Sequence, residues 1–156
     1  MPTKNNPSTQ EPSMKVVVTR VFLAPCDMVF KAWTDPKQMV QWWSPKGVEC
    51  RSVTAEVKID GAYRIHMVPP NDQAIAYGKY TQIVPNQLLQ FTWEWEERDM
   101  PQTLVTVKFE DLGKTTRLTL THEGFVEKED ADDHNNGWSS AIEKFAELIE
   151  QNKIQC

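Results

Sequence analysis

From Val48 to Glu123 apolar and polar residues alternate with a period of two, and the alternation stops at Gly124. This stretch constrains the chain more than any other. A period of two sends successive side chains to opposite faces of a pleated strand. Turn residues cut it into six expected strands: 48–58, 62–68, 75–84, 88–97, 103–110 and 115–122. The breaks fall at Asp60-Gly61, Pro69-Pro70-Asn71-Asp72, Pro85-Asn86, Asp99-Met100-Pro101 and Leu112-Gly113-Lys114, all turn-forming sequences. Connections this short join antiparallel neighbours, so the strands are expected to form a meander.

The alternation also assigns faces. Leu89, Phe91, Trp93 and Trp95 share one side of their strand, with Gln90, Thr92, Glu94 and Glu96 on the other. Tyr63, Ile65 and Met67 form a matching apolar row, as do Val105, Val107 and Phe109, then Leu118 and Leu120. His122 continues that last row inward. Such a sheet has one apolar face and needs one cover.

The flanking segments supply the cover. Lys15–Phe22 is β-branched and reads as a further strand. Residues 29–45, VFKAWTDPKQMVQWWSP, hold three of the six tryptophans and read as two short helices, Cys26–Trp33 and Pro36–Trp42. They break at Asp35-Pro36, where proline ends one helix and suits the first turn of the next, with Asp35 as its N-cap. After Gly124 a long helix is expected over Ala131–Gln151. There Trp138, Ile142, Phe145 and Leu148/Ile149 form one stripe. Gly137 within it weakens the helix by about 1 kcal/mol relative to alanine, a sign of close packing or a bend. This cover is small for so aromatic a sheet, which leaves either a dense core or a cavity. Residues 1–13 are polar, punctuated by Pro2, Pro7 and Pro12, and are expected to be a disordered tail. Residues 14–156 are expected to be one α+β domain, a size at which about 70% of the unfolded surface is buried.

Several function classes lack support. The net charge is −5, and no cluster of Lys and Arg offers the basic footprint of a nucleic-acid binder. No apolar run is long enough for a membrane span. Cys26, Cys50 and Cys156 are odd in number and widely spaced, which fits reduced cytoplasmic thiols better than disulfides or a zinc site. No phosphate loop, dinucleotide fingerprint or Gly-x-Ser-x-Gly context is present, so neither a cofactor nor a serine nucleophile is indicated. A protein partner or a homodimer stays open, without support in the sequence.

The order strand, two short helices, six strands, long helix resembles the helix-grip fold of the SRPBCC (START and Bet v pollen allergen-like) superfamily. The motifs are similar to its Aha-type branch, homologues of the C-terminal domain of the heat-shock chaperone ATPase activator. They are Val29-Phe30-Lys31-Ala32-Trp33-Thr34-Asp35-Pro36, Trp42-Trp43-Ser44-Pro45, Asp60-Gly61-Ala62-Tyr63-Arg64, Gly78-Lys79-Tyr80, Phe91-Thr92-Trp93-Glu94-Trp95, the stretch Thr103 to Phe109, and Thr121-His122-Glu123-Gly124-Phe125 with His134 and Gly137-Trp138. The chain departs from the pattern at Asp60-Gly61, where the family often has Gly-Gly, and at Glu56-Val57-Lys58, where it often has Asp-x-Arg.

The resemblance implies an apolar cavity between sheet and long helix that takes a hydrophobic small molecule. Trp33, Trp43, Tyr63, Met67, Tyr80, Phe91, Trp93, Trp95, His122 and Trp138 are the expected wall, with the aromatics giving contact area and His122 an orienting hydrogen bond. The competing reading is that the aromatic rows are core alone and that His122 is a satisfied structural histidine. Two other functions stay open. One is an enzyme using the same cavity with His122 as acid or base. The other is a co-chaperone-like interaction module, although that role belongs in this branch to longer proteins with a second domain. No third ligand stands beside His122 and His134, so no metal site is expected.

Overall fold

The computed structural model of the protein describes residues 14–154; the expected tail, 1–13, lies outside the described residues. In chain order the elements are β1 (Met14–Phe22), α1 (Cys26–Thr34), α2 (Pro36–Trp42), β2 (Glu49–Ala55), β3 (Ala62–Val68), β4 (Ala74–Val84), β5 (Leu88–Trp95), β6 (Thr103–Asp111), β7 (Thr116–Phe125) and α3 (Lys128–Glu150). The seven strands form one antiparallel sheet in the order β1-β7-β6-β5-β4-β3-β2. The six-strand meander is therefore as the alternation demands, and β1 closes it by pairing with β7. This is the α+β helix-grip architecture.

Several boundaries differ from the sequence reading: β2 ends at Ala55 rather than 58 and β5 at Trp95 rather than 97. Gly124 does not end the strands; it lies inside β7 with φ +102°, and the strand continues to Phe125. A left-handed residue can sit within a strand when it is glycine, and this one lies where a Cβ would meet Thr103 at 3.5–3.8 Å. The long helix starts at Lys128 rather than Ala131. The acidic residues Glu129 and Asp130 occupy its first turn, where negative charge complements the helix dipole.

The helix pair is built as its sequence requires. Pro36 opens α2, and the Asp35 carboxylate caps it by accepting from the Lys37 N–H at 3.0 Å. Trp42 ties the pair together, its indole N–H donating to the Ala32 carbonyl at 2.9 Å. Trp33 is fully buried and serves as the hub of the aromatic core, with ring centroids 4.7 Å from Trp42, 5.0 Å from Trp43 and 6.2 Å from Trp138. Phe30 packs edge-on against Phe109 of β6, which fixes α1 to the sheet. The helix pair thereby closes one end of the sheet while α3 lies along β1 and β7. Arg20 of β1 points toward α3 and is paired with Glu143.

Most of the inner face is close-packed. Ile65, Leu89, Phe91, Val105, Val107, Leu118, Leu120, Phe145 and Ala146 are 0–1% exposed. The outer face is polar and cross-linked, with Arg64 on Glu96 and a chain of Thr81, Gln90 and Thr106 hydrogen bonds. Among the described residues no helix is long and apolar enough to cross a membrane.

Candidate functional site

At one place the packing leaves space. A cavity of about 200 Å³ lies between the first half of α3, the end of β5, Met67 of β3 and the loop after α2. From α3 come Asp133, His134, Gly137, Trp138 and Ala141, and from β5 and the turn after it Trp93, Trp95 and Arg98. Trp43, Ser44 and Pro45 close the third side. Gly137 and Ala141 stand one helical turn apart flanking Trp138, so the helix is thin where the space lies. A Cβ on Gly137 would approach the Pro45 ring only to 4.0 Å. The glycine is therefore not forced by contact; it leaves room.

The wall is anchored by two histidines that hold tryptophans. Trp138 Nε1–H donates to His122 Nδ1 at 3.0 Å. That bond makes Nδ1 an acceptor and leaves the proton on Nε2, which donates to Thr103 Oγ1 at 2.7 Å. Thr103 in turn donates to the Trp93 carbonyl at 3.1 Å. His134 carries the opposite tautomer. Its Nε2 accepts from Trp95 Nε1–H at 2.9 Å and its Nδ1–H donates to the Asp130 carbonyl at 2.7 Å. The two imidazole rings meet edge to face at 5.1 Å.

Both histidines are held neutral. Burial pushes the His122 pKa down to about 2, reinforced by His134. Burial also lowers His134, and Arg98 adds to that, against the Asp130 carbonyl bond and the Asp130 and Asp133 charges that favour protonation. With both ring nitrogens engaged and no exposure, His122 positions Trp138 and has no free nitrogen to offer a bound molecule.

Of the ten expected wall residues, Trp43, Met67, Trp93, Trp95 and Trp138 border the cavity. Trp33, Tyr63, Tyr80, Phe91 and His122 pack behind it and are 0–3% exposed. Tyr63 donates to the Thr92 carbonyl, and burial raises its phenol well above the ordinary range. Ser44, Pro45, Arg98, Asp133, His134, Gly137 and Ala141 complete the wall and were not in the expected set. The pairing of Gly137 with Ala141 at one-turn spacing around Trp138 was the signal available for two of these positions. Several polar wall groups are already partnered. Ser44 Oγ donates to the Val48 carbonyl at 2.6 Å and accepts from Lys144 Nζ at 2.8 Å. The indole N–H groups of Trp33, Trp43 and Trp93 have no nitrogen or oxygen partner. Each ring lies steeply inclined to a neighbouring ring, Trp33 to Trp43 at 66° and Trp93 to Trp95 at 89°, the arrangement in which an N–H meets a π face.

Residues 23–150 match the family described as "Activator of Hsp90 ATPase homolog 1-like protein". The fold is similar to that of a protein from Chromobacterium violaceum, at 21% identity and a TM-score of 0.78, over 87% of this chain and 96% of that one. It is similar also to an AHSA1 protein from Silicibacter pomeroyi, at 24% identity and a TM-score of 0.79, over 89% and 99% of the two chains. A protein from Nitrosomonas europaea matches at 17% identity and a TM-score of 0.76, over 90% and 97%. No curated protein matches the sequence.

Proposed function

This chain belongs to the Activator of Hsp90 ATPase homolog 1-like family, and from that membership we propose that it binds a small hydrophobic molecule in the cavity beneath α3. The observation that carries this reading is a mostly apolar pocket, walled by Trp43, Met67, Trp93, Trp95 and Trp138, that opens beside a close-packed core. Water finds few partners in it, because the wall is mostly apolar and Ser44, Trp95 and Trp138 already spend their polar atoms within the protein. Apolar cavities of about 150 Å³ admit benzene, so a ligand of one or two rings, or a short branched aliphatic group, suits this one.

The test is displacement of a fluorescent hydrophobic probe, with mass spectrometry of whatever copurifies. Saturable binding that is abolished by the cavity-filling Ala141→Phe supports the reading. Binding that Ala141→Phe leaves unchanged sinks it. An enzyme with His122 as acid or base has less support, since neither ring nitrogen is free and burial keeps the ring neutral. An activator-type interaction is favoured by the family and by Val17 and Val21, 52% and 42% exposed on the outer side of edge strand β1. Its test is whether Val17→Lys with Val21→Lys abolishes stimulation of a chaperone ATPase. A cytoplasmic location goes with the unpaired thiols Cys26 and Cys50.

A further inference from the structure

Four indoles border one small space, and they are not stacked on one another. Trp93 stands at 89° to Trp95 with centroids 5.3 Å apart, and at 52° to Trp138 at 5.2 Å. Trp43 stands at 65° to Trp138 at 5.9 Å. Walls inclined in this way present π faces to the space from several directions. The negative face of an indole attracts a cation, and the attraction grows when the cation is desolvated.

The mouth has a matching charge. Beside it lies a second depression whose lining includes Asp72, Glu97 and Asp133, and which shares Trp95, Arg98 and Asp133 with the cavity. Asp130 adds a fourth carboxylate. Against these stands one guanidinium, Arg98, ion-paired with Asp130 at 3.0 Å and near Asp133 at 3.8 Å. Arg98 itself sits 5.8 Å from the centre of the Trp95 ring, so a cation already occupies one indole at the entrance. Clefts lined by one sign of charge concentrate ligands of the other sign. On the inner side, Lys144 reaches Ser44 but is not part of the wall.

Resting on the reading of this cavity as a ligand site, we propose that its ligand is an organic cation: a quaternary or alkylated ammonium group on a small apolar body, caged by Trp43, Trp93 and Trp138, with Trp95 already taken by Arg98. The acidic mouth draws the cation in, and the indole faces replace its hydration. A carboxylate ligand would have to compete with Asp130 and Asp133 for Arg98, beside further carboxylates at Asp72 and Glu97.

Two molecules of the same shape and different charge test the inference on the full chain: trimethylphenylammonium and neutral tert-butylbenzene, titrated by calorimetry at low salt. The cation is expected to bind about tenfold more tightly, the equivalent of one desolvated cation–π contact. Asp72→Asn, in the neighbouring depression and outside the cavity wall, is expected to narrow that gap and leave tert-butylbenzene affinity unchanged. Equal or tighter binding of tert-butylbenzene overturns the cation inference while the cavity reading stands. Binding of neither molecule overturns both.

Discussion

Trp138 of α3 gives its indole proton to Nδ1 of His122, on β7, across 3.0 Å, and this bond fixes the helix to the sheet where the cavity begins. His122 passes the order onward through Thr103 to the backbone of Trp93 on β5. One neutral imidazole thus sets two walls of the site. Replacing it by an apolar residue of similar size strands the Trp138 N–H in the core. We expect His122→Leu to destabilise the protein by about 2–4 kcal/mol, the range for a broken buried network. Urea unfolding measures it; a loss under 1 kcal/mol would mean that the network carries little.

The same pair makes stability depend on pH. In the unfolded chain His122 and His134 titrate near their ordinary value of about 6.5. In the fold both pKa values lie lower, that of His122 at about 2. Below pH 6.5 the unfolded state therefore binds more protons than the native state. The stability held by these groups is complete above pH 6.5 and is lost as pH falls toward the depressed values. Each histidine contributes a slope of at most about 1.4 kcal/mol per pH unit. Denaturant titrations from pH 7 to 4.5 should show the decline, and His134→Asn should remove one proton from it. A variant with an unaltered slope would show that His134 is not held neutral.

Protonation also has a local consequence. A charged imidazole has no acceptor to offer Trp138 or Trp95, so acid should release the wall tryptophans before the sheet unfolds. Tryptophan emission is expected to shift to the red at a higher pH than the loss of far-ultraviolet circular dichroism. Coincident transitions would contradict this order.

Gly137 sets stability against function. It is in a helix interior where a Cβ finds its nearest contact at 4.0 Å, so nothing forbids alanine. Gly137→Ala should stabilise the protein by about 0.5–1 kcal/mol and weaken binding of any ligand that fills the cavity. Thermal unfolding and a binding titration on the same sample test both halves. A variant that is stabilised and binds unchanged would place the ligand elsewhere.

The sheet was legible in the sequence because a period of two determines both the strand and its faces. The rows through Phe91, Val107 and Leu120 are buried as the alternation requires. Strand ends were less legible. Gly124 reads as a stop, yet β7 runs through it, because its positive φ is accommodated over Thr103 of the neighbouring strand. The helix start at Lys128 was hidden because the acidic run has no apolar period to mark it. The wall divided for a similar reason. Alternation tells that Tyr63 and Trp93 share a face, but not that Tyr63 meets Tyr80 and Phe91 in tight packing while Trp93 borders space. That distinction depends on how far α3 stands from β5, which is set by residues such as Ala141 and Pro45 that look unremarkable in a linear pattern.

The six indole N–H resonances report directly on whether the space bounded by Trp43, Trp93, Trp95 and Trp138 takes a ligand. In a nitrogen–proton correlation spectrum titrated with tert-butylbenzene, those four resonances should shift saturably. Trp33 and Trp42, packed behind the wall, should stay in place. Absence of saturable shifts, or equal shifts at all six, would contradict the account.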